Sequence, residues 1–246
     1  MTCLQHFYRD GTRPYARLTY LQGVQPANAE SIELGLSVVP AGAYGWKAIA
    51  IAERLAAGII LALVSPILFV AGVVIAILSR RSPLVAHLRV GEYGRPIWVL
   101  KLRTMWNGEA GSGSTFVERL STLADIPERK PADDPRVTSR FARFCRRYSI
   151  DELPQLWQVV SGEMALVAPR PLTRQELDSY YGDDSQELLT KKPGVSGLWQ
   201  VSGRSRLTYS QRRRLDLFMI RRWSLRLYLH ILVLTLPKVL AGKDAW

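Results

Sequence analysis

Two adjacent carboxylates, Asp151 and Glu152, precede an arginine held between two prolines, Arg170 in Pro169-Arg170-Pro171. A carboxylate at the start of a helix stays ionised and lies close to backbone N–H groups that also attract phosphate. Such a group can attack phosphorus while its neighbour holds a divalent metal. A guanidinium can bind two phosphate oxygens at once, and flanking prolines fix the backbone that presents it. A third stretch, Lys192-Pro193-Gly194 through Gly203-Arg204, joins positive charge to small residues that permit close backbone approach. Each element also has a plain reading. Acidic residues suit the first turn of any helix, with Asp151 as N-cap and Pro154 three positions on, and basic residues suit any solvated surface.

The remaining titratable residues narrow the chemistry. His6, His87 and His230 are far apart and lack metal-ligand spacing. Cys3 and Cys145 form neither a disulfide framework nor a zinc site, which points to a reducing compartment. Lys and Arg number 33 against 21 Asp and Glu, a formal charge of +12, so an anionic partner is expected. The basic residues are spread along the chain without a nucleic-acid-binding motif, so no nucleic acid is expected among the partners.

The elements that must position these residues begin with a turn-rich segment, 1–45, read as a poorly ordered tail with no apolar core of a signal peptide. From Leu55 to Ser79 there are 25 residues without a charge. As a helix this run extends ~37 Å, enough to cross a hydrocarbon core of ~30 Å. Pro66 cannot donate to the Ala62 carbonyl, so a kink is expected, with the Ser65 hydroxyl helping to satisfy the freed group. Basic residues flank both ends (Lys47 and Arg54, then Arg80 and Arg81), which sets no orientation by charge. A bent helix that returns to its own side and a tilted spanning helix both fit. Further on, 84–105 reads as a turn and a strand, 106–135 as a loop, and 151–160 as a helix. Stretch 190–206 carries too many glycines for one. Thr208 with Gln211 reads as a capping box. Ser224–Leu240 is apolar, broken by Pro237, and too short between charges to cross a bilayer, so it is expected on the core or in the interface.

Taken in order, these motifs resemble the bacterial sugar transferase family, the monotopic polyprenyl-phosphate phosphoglycosyl transferases, over residues 46–246. The family's Ser-Pro helix matches Ser65-Pro66, and its basic Thr-Met stretch matches Lys101-Leu102-Arg103-Thr104-Met105. The dyad falls on Asp151-Glu152, the Pro-Arg-Pro element on Pro169-Arg170-Pro171, a glycine-rich element containing Gln200 on Pro193 to Arg204, and a later aspartate on Asp216. The resemblance implies an α+β, mainly helical fold. It comprises a tail (1–45), a re-entrant kinked membrane helix (46–81) and a small cytoplasmic catalytic domain (82–246) with interfacial amphipathic helices, at the bacterial inner membrane.

It further implies that Asp151 attacks the β-phosphorus of a UDP-sugar, releasing UMP and leaving a phosphosugar on the aspartate. Polyprenyl (undecaprenyl) phosphate then takes the sugar phosphate, as the priming step of exopolysaccharide or O-antigen-type synthesis. Glu152 and Asp151 would hold Mg²⁺, and Arg146 and Arg170 would bind phosphate, with Lys101, Arg103, Lys192 and Arg204 as further cations. Membrane phospholipids are implied partners, and a homo-oligomer is left open. The chain departs from the family pattern at Ile49 and Ala50 (usually Lys-Arg), at Glu53 and Tyr228 (usually aspartates), at His87 (usually glutamine) and at Ala168 (usually glycine). The competing reading is a catalytically inactive, membrane-tethered assembly or anion-binding partner.

Overall fold

The structure, a computed structural model, describes residues 43–106, 117–120, 137 and 139–242. The tail expected over 1–45 lies outside the described residues up to position 42, and helix α1 (Ala43–Ser79) begins three residues before the expected boundary. Among the described residues it is the one helix long and apolar enough to cross a membrane. The helix is continuous through Pro66, and Ser65 Oγ donates to the Ala62 carbonyl at 2.8 Å, the acceptor that proline leaves without its N–H. One stripe of α1 packs inward along its length: Ala57, Leu61 and Val64 join one core cluster, and Leu68, Ala71 and Ile75 another. These positions recur every three or four residues, the spacing of one helix face. The other faces are apolar and exposed, including Leu55, Ile59, Leu63, Phe69 and Ile77.

The turn and strand expected over 84–105 are part of an antiparallel hairpin of β1 (Leu84–Val90) and β2 (Pro96–Leu102), pairing Leu84 with Leu102 through Val90 with Pro96. The turn between them needs φ of +55° at Tyr93 and +77° at Gly94. The expected loop over 106–135 is corrected in part: β3 (Val117–Leu120) adds to β1 in parallel, giving the order β2-β1-β3, while 107–116 and 121–136 lie outside the described residues. Val-Glu-Arg-Leu is too short and too polar to announce itself as a strand. Helix α2 (Arg140–Arg147) starts where Ser139 Oγ accepts from the Ala142 N–H, a serine cap.

The expected helix over 151–160 divides into a 3₁₀ turn, Ile150–Gln155, and α3 (Leu156–Ser161), closed by Gly162 at φ +86°. Next come β4 (Ala165–Val167), the short α4 (Arg174–Glu176) running into a π-turn to Tyr181, α5 (Ser185–Leu188) and β5 (Gly194–Ser196), which pairs with β4 in parallel. Stretch 190–206 does hold a helix, α6 (Leu198–Ser202), because Gly197 and Gly203 bound it rather than interrupt it. The Thr208–Gln211 capping box is formed and opens α7 (Tyr209–Arg221). In α8 (Leu225–Ala241) Pro237 is carried inside the helix rather than ending it. Tyr228 and Ile231 on α8 are buried, while Leu225, Leu229, Val233, Leu236 and Leu240 form an exposed apolar face.

Two of the departures from the family pattern meet in space. Glu53 Oε1 on α1 accepts from Tyr228 Oη at 2.7 Å and from the Leu166 N–H at 3.0 Å, tying α1, α8 and β4 together. Nearby, Arg54 Nε donates to the Val160 carbonyl at 2.8 Å, at the carbonyl end of α3 where a cation is favoured.

Candidate active site

The acidic dyad sits on the 3₁₀ turn. Ser149, at φ 55° and ψ 24°, turns the chain out of α2, so the turn starts at Ile150 and Asp151 lies inside it. Asp151 is therefore not the N-cap, which corrects the capping expectation. The residue is only 7% exposed. Behind the dyad, Gln158 of α3 closes the free edge of β2. Its Oε1 accepts from the Leu100 N–H at 3.0 Å and its Nε2 donates to the Trp98 carbonyl at 2.5 Å. That strand-like clamp fixes the height of Lys101, the next residue of β2, against the turn.

Arg170 is held from both sides. The Ala168 N–H donates to the Ser196 carbonyl at 2.9 Å, the Gly194 N–H to the Pro169 carbonyl at 2.7 Å, and the Val90 N–H to the Leu172 carbonyl at 2.9 Å. Position 194 must be glycine for this: a Cβ there would stand 2.2 Å from the Ala168 nitrogen and 2.5 Å from its carbonyl oxygen.

These elements converge on Glu152. Its Oε1 accepts from Lys101 Nζ at 2.7 Å and from an Arg170 terminal nitrogen at 2.8 Å. Burial pushes the Glu152 carboxyl up, but Arg170 and Lys101, by charge and by hydrogen bond, outweigh it and hold the group well below the ordinary range. Burial pulls Lys101 below its ordinary value, against the charge of Glu152. Arg170 is raised, because the charge and hydrogen bond of Glu152 overcome the opposing burial. Asp151 behaves differently. Burial, then the neighbouring Glu152 charge, push its carboxyl up to about 6 against the charges of Lys101, Arg146 and Arg170. One carboxylate is locked by two cations; the other is buried with cations acting on it by charge.

The other expected cations separate. Arg146, on α2, faces Asp151. Lys192 lines a cavity with Arg170, Lys191 and a wall of leucines. Arg103 is buried and engaged elsewhere, its Nε on the Ser82 carbonyl at 2.7 Å and a terminal nitrogen on Glu118 Oε2 at 2.5 Å, so it braces β2 against β3. Gln200 holds the Val195 carbonyl at 3.1 Å. Arg204 starts a 3₁₀ turn at φ 47°. Asp216 is fully buried on α7, accepting from Tyr181 Oη at 2.7 Å. Ser65 and Pro66 stay in α1. Gln158, Glu118, Trp199 and Arg212 were not singled out as site residues from sequence. A buried glutamine or arginine carries no local signal, and the glycine-rich element from Pro193 to Arg204 contains only Trp199 of the four.

Among the described residues no group of three or more His, Cys, Asp or Glu side chains is placed to hold a metal. The Asp151-Glu152 pair is nevertheless compatible with Mg²⁺, which binds through one or two carboxylates completed by water and substrate phosphate. Both hydrogen bonds to Glu152 fall on Oε1, which leaves Oε2 for such a role.

With this geometry in place, comparison with known proteins is decisive at the level of family. The profile of the family described as Bacterial sugar transferase matches residues 45–242, and the chain belongs to that family. It is 42% identical over 170 residues to the UDP-galactose-lipid carrier transferase of Erwinia amylovora, covering 67% of this chain and 35% of that protein. It is 35% identical over 202 residues to the exopolysaccharide production protein ExoY of Rhizobium meliloti, covering 79% and 86%. To the UDP-glucose:undecaprenyl-phosphate glucose-1-phosphate transferase of Caulobacter vibrioides it is 34% identical over 223 residues, covering 86% and 78%. The match to the Erwinia protein thus spans about a third of that relative's length.

Proposed function

We propose that this protein transfers a sugar phosphate from a UDP-sugar to polyprenyl phosphate in two displacements. An Asp151 oxygen forms a bond to the β-phosphorus, and the bond from that phosphorus to the bridging oxygen breaks, its electron pair leaving with UMP. A phosphate oxygen of the polyprenyl phosphate then attacks the same phosphorus. The bond to Asp151 breaks, the carboxylate is regained, and polyprenyl-diphosphate-sugar departs. Lys101, Arg146 and Arg170 lower the cost of the negative charge that builds on the transferring group. Asp151 and Glu152 would hold Mg²⁺, which when bound offsets phosphate charge.

The observation that carries this reading is the unequal dyad. Glu152 is committed to Lys101 and Arg170, whereas Asp151 is buried, faces three cations and, among the described residues, is held by no hydrogen bond to its side chain. The names of the relatives support the substrate classes: they include a UDP-glucose:undecaprenyl-phosphate transferase and an undecaprenyl-phosphate galactose phosphotransferase.

The same proposal places the catalytic body on the cytoplasmic face of the inner membrane, with α1 entering and leaving on that side. Support comes from the inward stripe of α1. Ala57 near the start of the uncharged run and Ile75 near its end both pack on the body, over a length of ~27 Å at ~1.5 Å per residue. A helix crossing the bilayer would carry one of these contacts to the far side. The exposed apolar faces of α1 and α8 suit contact with phospholipid.

The test is UMP release by purified protein in detergent, given UDP-sugars, undecaprenyl phosphate and Mg²⁺. Wild type should release UMP with at least one donor, and Asp151→Asn should release none above background while remaining folded. A wild type inert toward every donor, or an active Asp151→Asn variant, would sink the reading.

A further inference from the structure

We propose that Arg212, with Trp199 and Arg170, forms a recognition site for a phosphate monoester beside the dyad. The monoester is either the nucleoside monophosphate that departs or the polyprenyl phosphate that arrives. This rests on the two-step transfer proposed above.

Arg170 has two neighbourhoods. On one side it bonds Glu152; on the other it lines a cavity with Leu172, Glu176, Tyr181, Trp199, Tyr209 and Arg212. Arg212 is 4% exposed. Its guanidinium carbon lies 4.7 Å from the Trp199 ring centre and 4.9 Å from that of Tyr209, so two rings fix its position. Its Nε is buried with no hydrogen-bond partner.

Arg103, equally buried, shows what a structural arginine looks like here: it is paired with Glu118 and a backbone carbonyl. Arg212 forms no ion pair among the described residues. Two acids act on it by charge: Glu176, which accepts from Tyr209 Oη at 2.9 Å and from the Thr173 N–H at 2.8 Å, and Asp216, one turn further along α7. A buried guanidinium without a direct ion pair is costly, and a buried N–H without an acceptor adds to the cost. Burial pulls Arg212 below its ordinary pKa, and the like charge of Arg170 adds to that. A dianion reaching between the two guanidiniums would relieve both penalties.

The size of the cavity limits the ligand. At about 20 Å³ it admits a water-sized group such as one phosphate oxygen, with the rest of the molecule outside. Arg170 also lies 6.0 Å from the Trp199 ring centre, so one aromatic surface serves both arginines and links the cavity to the reacting centre. In the two-step transfer a phosphate monoester leaves that centre and another approaches it. Arg212 stands where either would be received.

Two assays on the full-length protein in detergent separate the sources. Exchange of labelled UMP into the UDP-sugar, without lipid, reports the first displacement. Initial rates against undecaprenyl phosphate report the second. Arg212→Met keeps much of the volume and removes the charge. If the site receives the nucleotide, exchange at limiting UMP should fall by at least about tenfold while the KM for undecaprenyl phosphate is unchanged. If it receives the lipid phosphate, that KM should rise by about the same factor while exchange persists. Wild-type values in both assays would overturn the proposal. Should Arg212→Met fail to fold, Arg212→Lys, which keeps the charge but not the planar fork, carries the same two readouts. Failure here differs from failure of the transfer reading, in which wild type itself would be inert.

Discussion

Asp151 and Asp216 are both buried aspartates whose carboxyls are pushed up by burial, to about 6 and about 7, yet their surroundings differ in kind. Asp216 lies on the inner face of α7 and accepts a 2.7 Å bond from Tyr181 Oη, with the single charge of Arg212 acting on it. Asp151 lies on a short 3₁₀ turn, has no such bond, and faces Lys101, Arg146 and Arg170. A hydrogen-bonded buried acid organises its neighbours; a buried acid surrounded by cations but tied to none is arranged to change its bonding. Burial alone does not distinguish the two aspartates; the proposed attack by Asp151 rests on the identity of its neighbours.

The contrast depends on Arg170 and on the loop that presents it, so the largest effects are expected there. Arg170→Lys keeps the charge but loses the planar fork, and turnover should fall by about a hundredfold with the fold intact. Steady-state kinetics beside a thermal melt check this, and unchanged kinetics would move Arg170 to the structural side. Gly194→Ala should act on the loop itself. A methyl 2.2 Å from the Ala168 nitrogen must push β4 and β5 apart, at a cost of about 3 kcal/mol and several degrees of melting temperature. A melt matching wild type would show that the strands yield.

The smallest effects concern protonation, and their sign follows from the raised pKa values. Each carboxyl is easier to keep neutral in the fold than in the unfolded chain. Its contribution is therefore whole below the ordinary carboxylate range and is lost as pH rises through the folded value. Asparagine mimics the neutral form. In EDTA, Asp151→Asn should gain melting temperature over wild type as pH rises through about 6, and Asp216→Asn as it rises through about 7. Activity should separate the pair, with Asp216→Asn keeping turnover within a few-fold. Its loss would place Asp216 in the chemistry.

Much of this arrangement is legible in the sequence. The uncharged run, the Ser65 bond to the Ala62 carbonyl, the turn at Gly91–Gly94 and the capping box at Thr208 are all local patterns, and local patterns survive folding. The dyad and Arg170 are also readable, because turn formers and prolines mark where the backbone is held. What escapes is long-range pairing. Gln158 clamping β2, Glu118 meeting Arg103, and Arg212 stacked on Trp199 leave no trace at the level of neighbours in the chain. Glu53 and Tyr228 show it best. Each stands out singly as a departure, and only the fold brings them within 2.7 Å as one interaction.

The central claim is that Asp151 takes up the phosphosugar, and intact-mass spectrometry tests it most directly. Wild-type protein mixed with its UDP-sugar and Mg²⁺, without lipid, and quenched in acid should gain the mass of one phosphosugar. The adduct should map to the peptide containing Asp151 and disappear on adding undecaprenyl phosphate, while Asp151→Asn stays unmodified. An active enzyme that shows no adduct, or releases UMP only when lipid is present, would contradict the account.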